Sequence, residues 1–263
     1  MILEFFLTIL IVGFVTAGLN IRFDRFFTIL LLLFIFDFSI VKAINIFLWV
    51  IMLGALMIIL NNKEKISKLP QKTKIELFVL IPLFTLIASF VGSLVFINSS
   101  ESVLLITLGI LAVLYGLRLI FIHFEKHELE FEKGHPGITK ICGLLGPWVS
   151  GFFVGFVGTS IKAIKIPFAV KIGKMNAQQV YLGNTISTFF ASFFAIIWHL
   201  VLSKNMNLNL FYEQMILGLA LLAGIHFVFE LTNLFFKDKW RKGFQVLIGI
   251  ILLFASIKVF MLI

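Results

Sequence analysis

Apolar residues run along this chain in long blocks, broken by short polar stretches rich in lysine. About 20 apolar residues in a helix cross the roughly 30 Å hydrocarbon core of a bilayer. Six blocks reach that length and predict transmembrane helices over 40–60, 77–98, 102–124, 179–202, 208–229 and 243–263. Two further regions are apolar but interrupted. Residues 2–19 and 26–36 are separated by Asn20-Ile21-Arg22-Phe23-Asp24-Arg25, and 141–158 and 166–172 by Thr159-Ser160-Ile161-Lys162-Ala163-Ile164-Lys165. The second member of each pair is too short to cross comfortably, so 2–36 and 141–172 read as helical hairpins that enter the membrane and return. The apolar runs are continuous rather than alternating, which excludes strands. The fold class is therefore all-α integral membrane.

The same order of elements occurs twice. Gly13-Phe14-Val15-Thr16-Ala17 aligns with Gly151-Phe152-Phe153-Val154-Gly155, Ala43-Ile44-Asn45 with Leu182-Gly183-Asn184, and Leu108-Gly109-Ile110-Leu111 with Ile248-Gly249-Ile250-Ile251. Arg118 then falls opposite Lys258. The offset stays near ~140 throughout, as an internal repeat requires. Residues 1–124 form an N-terminal repeat, 125–140 a polar linker, and 141–263 a C-terminal repeat. Each repeat holds a re-entrant hairpin plus three transmembrane helices. An odd number of crossings inverts the second half, and inverted repeats are a common build for secondary transporters.

Composition agrees with lipid as the solvent. Hydrophobic residues make up 60% of the 263 residues and charged residues 13%, where soluble domains have about 45–50% and about 25%. Mean hydropathy is +1.10. The net charge of +9 does not imply nucleic acid, because no basic soluble module carries it. It arises in the loops instead. Loops 61–76, 125–140, 171–178 and 230–242 hold Lys63, Lys65, Lys68, Lys72 and Lys74; Lys126, Lys133 and Lys140; Lys171 and Lys174; and Lys237, Lys239, Arg241 and Lys242. With non-crossing hairpins these loops share one face. The positive-inside rule makes that face cytoplasmic and turns both termini outward across a plasma membrane. Met1–Leu19 lacks a basic leading region and a small-residue cleavage site, and reads as part of the mature fold.

The search for chemistry is selective. One cysteine, Cys142, allows no intrachain disulfide. His123, His127, His135, His199 and His226 lack ligand spacing. No metal site, no cofactor and no catalytic constellation is expected, so the chain does not read as an enzyme. A cation at the bilayer centre costs about 2.5–3.5 kcal/mol on insertion scales. That singles out Arg22 and Arg25 at the first hairpin tip and Lys162 and Lys165 at the second. Asp24 offsets part of the first pair, while the second has no carboxylate nearby in sequence. If the tips meet near the midplane, they form a cationic pocket faced by helix N-termini, which favour anions. Thr159 and Ser160 add hydroxyls. Asn184 and Thr185 complete the lining, and Asn45 is the corresponding amide of the first half. The alternative is that these cations snorkel to the interface as solvated turns. Asp37, His199 and Glu230 are candidate proton carriers.

The stretch Gly146-Pro147-Trp148-Val149-Ser150-Gly151-Phe152-Phe153-Val154-Gly155-Phe156-Val157-Gly158-Thr159 resembles the glycine-rich opening of the sulfite exporter TauE/SafE family. Leu182-Gly183-Asn184-Thr185 resembles that family's small polar segment, and Gly13, Ala17 and Asn20 echo the motif in the first half. The resemblance covers essentially the whole chain. Where the family often has a glycine cluster after the motif, Ile21-Arg22-Phe23 and Thr159-Ser160-Ile161 stand here. The resemblance implies export of sulfite or a small organosulfur anion, coupled to an ion gradient of H+ or Na+. The leading expectation is thus a secondary anion transporter working by alternating access, with Asn20 joining the candidate ligands. Uptake of another small solute, a membrane-embedded enzyme acting on lipid, and a structural membrane protein are the alternatives.

Overall fold

The computed structural model describes residues 2–19, 25–121, 136–173, 175–203, 208–236 and 238–263. Every described element is helical. The first hairpin is α1 (Ile2–Gly18) and α2 (Arg25–Phe34), and α3 (Ile40–Asn61) follows it. Two short helices, α4 (Lys63–Ser67) and α5 (Gln71–Ile75), lead to α6 (Ile81–Asn98) and α7 (Glu101–Phe121). The second series is α8 (Pro136–Val157), α9 (Lys162–Pro167), α10 (Ala177–Leu202), α11 (Leu208–Asn233) and α12 (Asp238–Phe260).

Among the described residues, six helical stretches are long and apolar enough to cross a membrane: Ile40–Asn61, Gln71–Asn98, Glu101–Phe121, Gln179–Leu202, Leu208–Asn233 and Trp240–Phe260. They correspond to the six predicted blocks. Their ends run further in places, because polar residues at a membrane boundary can stay helical. α8 starts at Pro136, inside the predicted linker. Proline suits the first position of a helix, where its missing N–H has no partner to lose. α10 starts on an N-cap, with the Asn176 side chain accepting from the Gln179 N–H. Among the described residues, two π-helical turns interrupt the ladder, Glu76–Leu80 and Phe168–Ile172. Each adjoins a proline, Pro82 and Pro167, and a proline withholds the N–H that the regular ladder needs.

Contacts divide the chain into two compact units, and these cut across the two sequence halves. The first unit is Met1–Val50, Ser99–His123 and Asn207–Ile263; the second is Ile51–Asn98 and Phe124–Met206. In the first, α1 packs on α11 and α7 on α12. Gly13 lies against Ile225 and Val228, Gly109 against Phe260, and Gly249 against Ile120 and the Gly116 carbonyl. In the second, α6, α8 and α10 pack on one another. Gly151 lies against Thr85 and Ala88, and Gly155 against the Ser89 backbone. The partners of Gly13 and Gly151 are related by a shift of ~140 in number, and so are those of Gly109 and Gly249, the same offset that marks the sequence repeat.

Small residues let membrane helices approach closely where hydrophobic force between them is lacking. Gly92 makes the tightest approach to backbone, since a Cβ there would collide with the Phe152 carbonyl oxygen of α8. Gly92→Ala is expected to destabilise the protein by about 1–3 kcal/mol, the usual range for overpacking. Gly143→Ala, with nothing within 4 Å of the added atom, should leave thermal unfolding in detergent unchanged or slightly raised. Equal melting of Gly92→Ala and wild type would overturn this account of the α6–α8 contact.

Candidate functional site

The second hairpin carries the most unusual chemistry. α8 ends at a glycine in the left-handed region, Gly158 with φ 73°, whose N–H donates to the Val154 carbonyl at 3.0 Å. That is a helix stop which only glycine adopts without strain. The chain turns through Thr159, Ser160 and Ile161 and starts α9 at Lys162, whose N–H donates to the Ser160 carbonyl at 2.8 Å. From α9 the Lys165 side chain reaches back along α8. Its Nζ donates to Ser150 Oγ at 2.8 Å and to the Gly146 carbonyl at 3.2 Å. Gly146 makes room for it: a Cβ there would stand 3.0 Å from Lys165 Cε.

The ammonium therefore meets α8 near the middle of its 22 residues and not at the hairpin tip. An ammonium has three donors. Among the described residues two acceptors meet Lys165, and no carboxylate pairs with it. Around the hairpin lies a polar interior. Ser150 is fully buried, and Ser160 is 8% and Asn184 6% exposed. Ser160 Oγ, Asn184 Oδ1 and Ser187 Oγ are buried with no hydrogen-bond partner among the described residues. Buried polar atoms are nearly always paired, so orphans of this kind mark places where water or a ligand completes the set.

Most other hydroxyls of this unit are internally satisfied. Thr188 Oγ1 donates to the Asn184 carbonyl at 2.7 Å, Ser192 Oγ to the Thr188 carbonyl at 2.6 Å, and Thr185 Oγ1 to the Tyr181 carbonyl at 2.8 Å. Thr185 thus keeps only acceptor capacity. His199, one of the three candidate proton carriers, is 8% exposed. Its Nε2 lies 2.7 Å from the Gly155 carbonyl, and its ring stacks on Phe96 at 4.1 Å. It ties the last turns of α8 to α10 and α6. Asp37 is exposed, and Glu230 lies 3.9 Å from His226 Nδ1 on a half-exposed site.

Of the other predicted ligands, Lys162 and Thr159 are half-buried in this second unit. Asn45 is half-buried in α3, in the first unit. Asn20 and Arg22 lie outside the described residues, as does the Arg25 side chain. The first hairpin instead reveals a residue that had been read only as a loop cation. Arg241 Nη1 donates to the Ala17 carbonyl at 2.6 Å, and Nη2 to Asn233 Oδ1 at 3.1 Å and the Phe236 carbonyl at 3.3 Å. A cation there satisfies a carbonyl of the last turn of α1 and opposes the dipole of that helix. No local signal announces such a contact. Ser150 was missed too, although its place within the glycine motif could have pointed to it.

Among the described residues, six helices long and apolar enough to cross a membrane define an integral, multi-pass membrane protein. The chain belongs to the sulfite exporter TauE/SafE family, whose sequence model matches residues 5–259, and it is therefore a membrane transporter. No curated protein and no solved structure matches it.

Ser150→Ala is expected to cost about 1.5–3 kcal/mol, the worth of a hydrogen bond to a charged group. It should also raise the reactivity of Lys165 toward amine reagents. Ser192→Ala removes only a bond to its own helix, which adds little stability, and should melt close to wild type. Thermal unfolding of the two variants side by side checks the difference.

Proposed function

We propose that this protein is a secondary transporter that moves a small anion, sulfite or an organosulfonate, across the plasma membrane by alternating access. In this reading it works as an exporter and is coupled to H+ or Na+. The observation that carries the proposal is the Lys165 ammonium, held at the middle of an apolar helix with two neutral acceptors and, among the described residues, no counter-charge. A buried charge without a paired opposite charge is costly to hold in an apolar setting. A sulfur oxyanion supplies both the missing charge and an acceptor for the third N–H. Charge-assisted hydrogen bonds are the stronger kind.

The anion site then consists of Lys165, with Lys162, Thr159, Ser160, Asn184 and Thr185 around it. Arg22, Arg25, Asn20 and Asn45 are their counterparts from the first repeat. The Ser160 hydroxyl and the Asn184 amide are suited to orienting oxyanion oxygens, and their unpartnered atoms support that role. Two inverted repeats give alternating access a structural basis. The repeated order of helices and the exchange of glycine contacts between equivalent positions support the duplication. The lysine-rich loops 61–76, 125–140 and 230–242 support a cytoplasmic orientation of that face by the positive-inside rule.

Flux of radiolabelled sulfite and of a labelled sulfonate in proteoliposomes tests this, with preloaded and empty vesicles separating efflux from uptake. Lys165→Met should lower the rate by about 10- to 100-fold, from the loss of a charged hydrogen bond, and Lys165→Arg should retain part of it. Undiminished flux in Lys165→Met rejects the site. Absence of flux for these anions in wild type, in either direction, rejects the function.

A further inference from the structure

The two short helices between α3 and α6 frame a cavity of about 460 Å³. It lies wholly within the second unit, where one membrane-crossing stretch ends and the next begins. Its wall is graded. On the arm leaving Ile40–Asn61, apolar Leu60 comes before Lys63; on the arm entering Gln71–Asn98, Lys74 comes before Ile75, Phe78 and Val79. The lysines therefore stand at the outer end, and the apolar side chains stand toward the hydrocarbon. Leu60, Ile75, Phe78 and Val79 are all exposed, so the apolar wall has no covering among the described residues. Lys74 Nζ donates to the Ser67 carbonyl at 2.7 Å, which holds α4 and α5 together and sets that ammonium at the rim. Lys65, Lys68 and Lys72 add to the field, and Glu64 and Glu76 offset only part of it.

We propose that this cavity is a binding site for an anionic phospholipid, with the headgroup phosphate on Lys63 and Lys74 and an acyl chain along Leu60, Ile75, Phe78 and Val79. Charge complementarity chooses the headgroup: basic clusters just outside a membrane span attract anionic lipids. The graded wall chooses an amphiphile over a free anion, which has no use for exposed apolar side chains at the same site. The site is separate from Lys165 and rests only on the membrane-spanning helices. A protein that carried no anion would still bind the lipid.

Quenching by brominated lipid tests it on the full-length protein. Phe78→Trp places a reporter on the apolar wall, and the signal of the native tryptophans is subtracted using wild type. Brominated phosphatidylglycerol should quench the added tryptophan at a lower mole fraction than brominated phosphatidylcholine. The preference should fall by about fivefold for each lysine removed in Lys63→Gln/Lys74→Gln, weaken with salt, and persist in Lys63→Arg/Lys74→Arg. A second readout needs no new tryptophan: mass spectrometry of the phosphatidylglycerol retained through purification from mixed vesicles, with and without Lys63→Gln/Lys74→Gln. Equal quenching by the two lipids, or a preference or retention untouched by the glutamine substitutions, would overturn the site.

Discussion

Hydrocarbon offers no hydrogen bonds, so every polar group carried into the membrane must find its partner within the protein. The hydroxyls of the spanning helices follow this constraint closely. Thr16, Thr85, Thr107, Thr185, Thr188 and Thr232 each donate to a carbonyl one turn back in their own helix. Such bonds keep a polar side chain quiet without linking it to anything else. Against that background the exceptions stand out. Ser160, Asn184 and Ser187 keep buried atoms with no partner among the described residues, and Lys165 brings a full charge to the middle of α8. These four fall in the second unit, as does the orphan Ser93 Oγ, whereas Thr8 Oγ1 of the first unit is likewise buried with no partner among the described residues.

The two units share a packing scheme but differ in chemistry. Among the described residues, the buried polar side chains of the second unit include Thr85, Ser89, Ser93, Ser150, Ser160, Asn184, Ser187, Thr188, Ser192 and His199, whereas the first unit has Thr8, Thr16, Thr28, Gln214 and Ser256. The first unit is stiffened in other ways. Arg241 fastens the end of α1, Lys42 pairs with Glu213 at 2.8 Å between α3 and α11, and Phe14, Phe236 and Phe244 form an aromatic cluster. A similar scaffold of glycine contacts can therefore carry a polar interior in one place and a partly exposed aromatic cluster in another.

How much of this was legible in the sequence follows from the range of each interaction. Bilayer thickness acts on consecutive residues, so the six crossing helices could be read directly from run length, and the two hairpins from runs cut short by cations. The glycine motif also drew attention to the hairpin whose Lys165 reaches back to Ser150. The back-reach of Lys165 to Ser150 and Gly146 could not be read, because it depends on how sharply the chain turns at Gly158. The bond from Arg241 to Ala17 joins opposite ends of the chain and has no local signature. The compact units were hidden for the same reason. Order along the chain suggested two consecutive halves, while packing pairs α1 with α11 and α6 with α8.

The wide turn at Glu76–Leu80 has a consequence for everything after it. One extra residue within a helix turns the following segment by about 100° about its own axis, since a regular turn takes 3.6 residues. The face of α6 that carries Thr85, Ser89 and Gly92 toward α8 is therefore aimed by a local defect several residues earlier, beside Pro82. Closing that turn to regular α geometry with no residue removed would swing exposed Leu83 and Ile87 toward the inner contact and carry the small residues outward. The defect thus serves as the angular index of the helix pair.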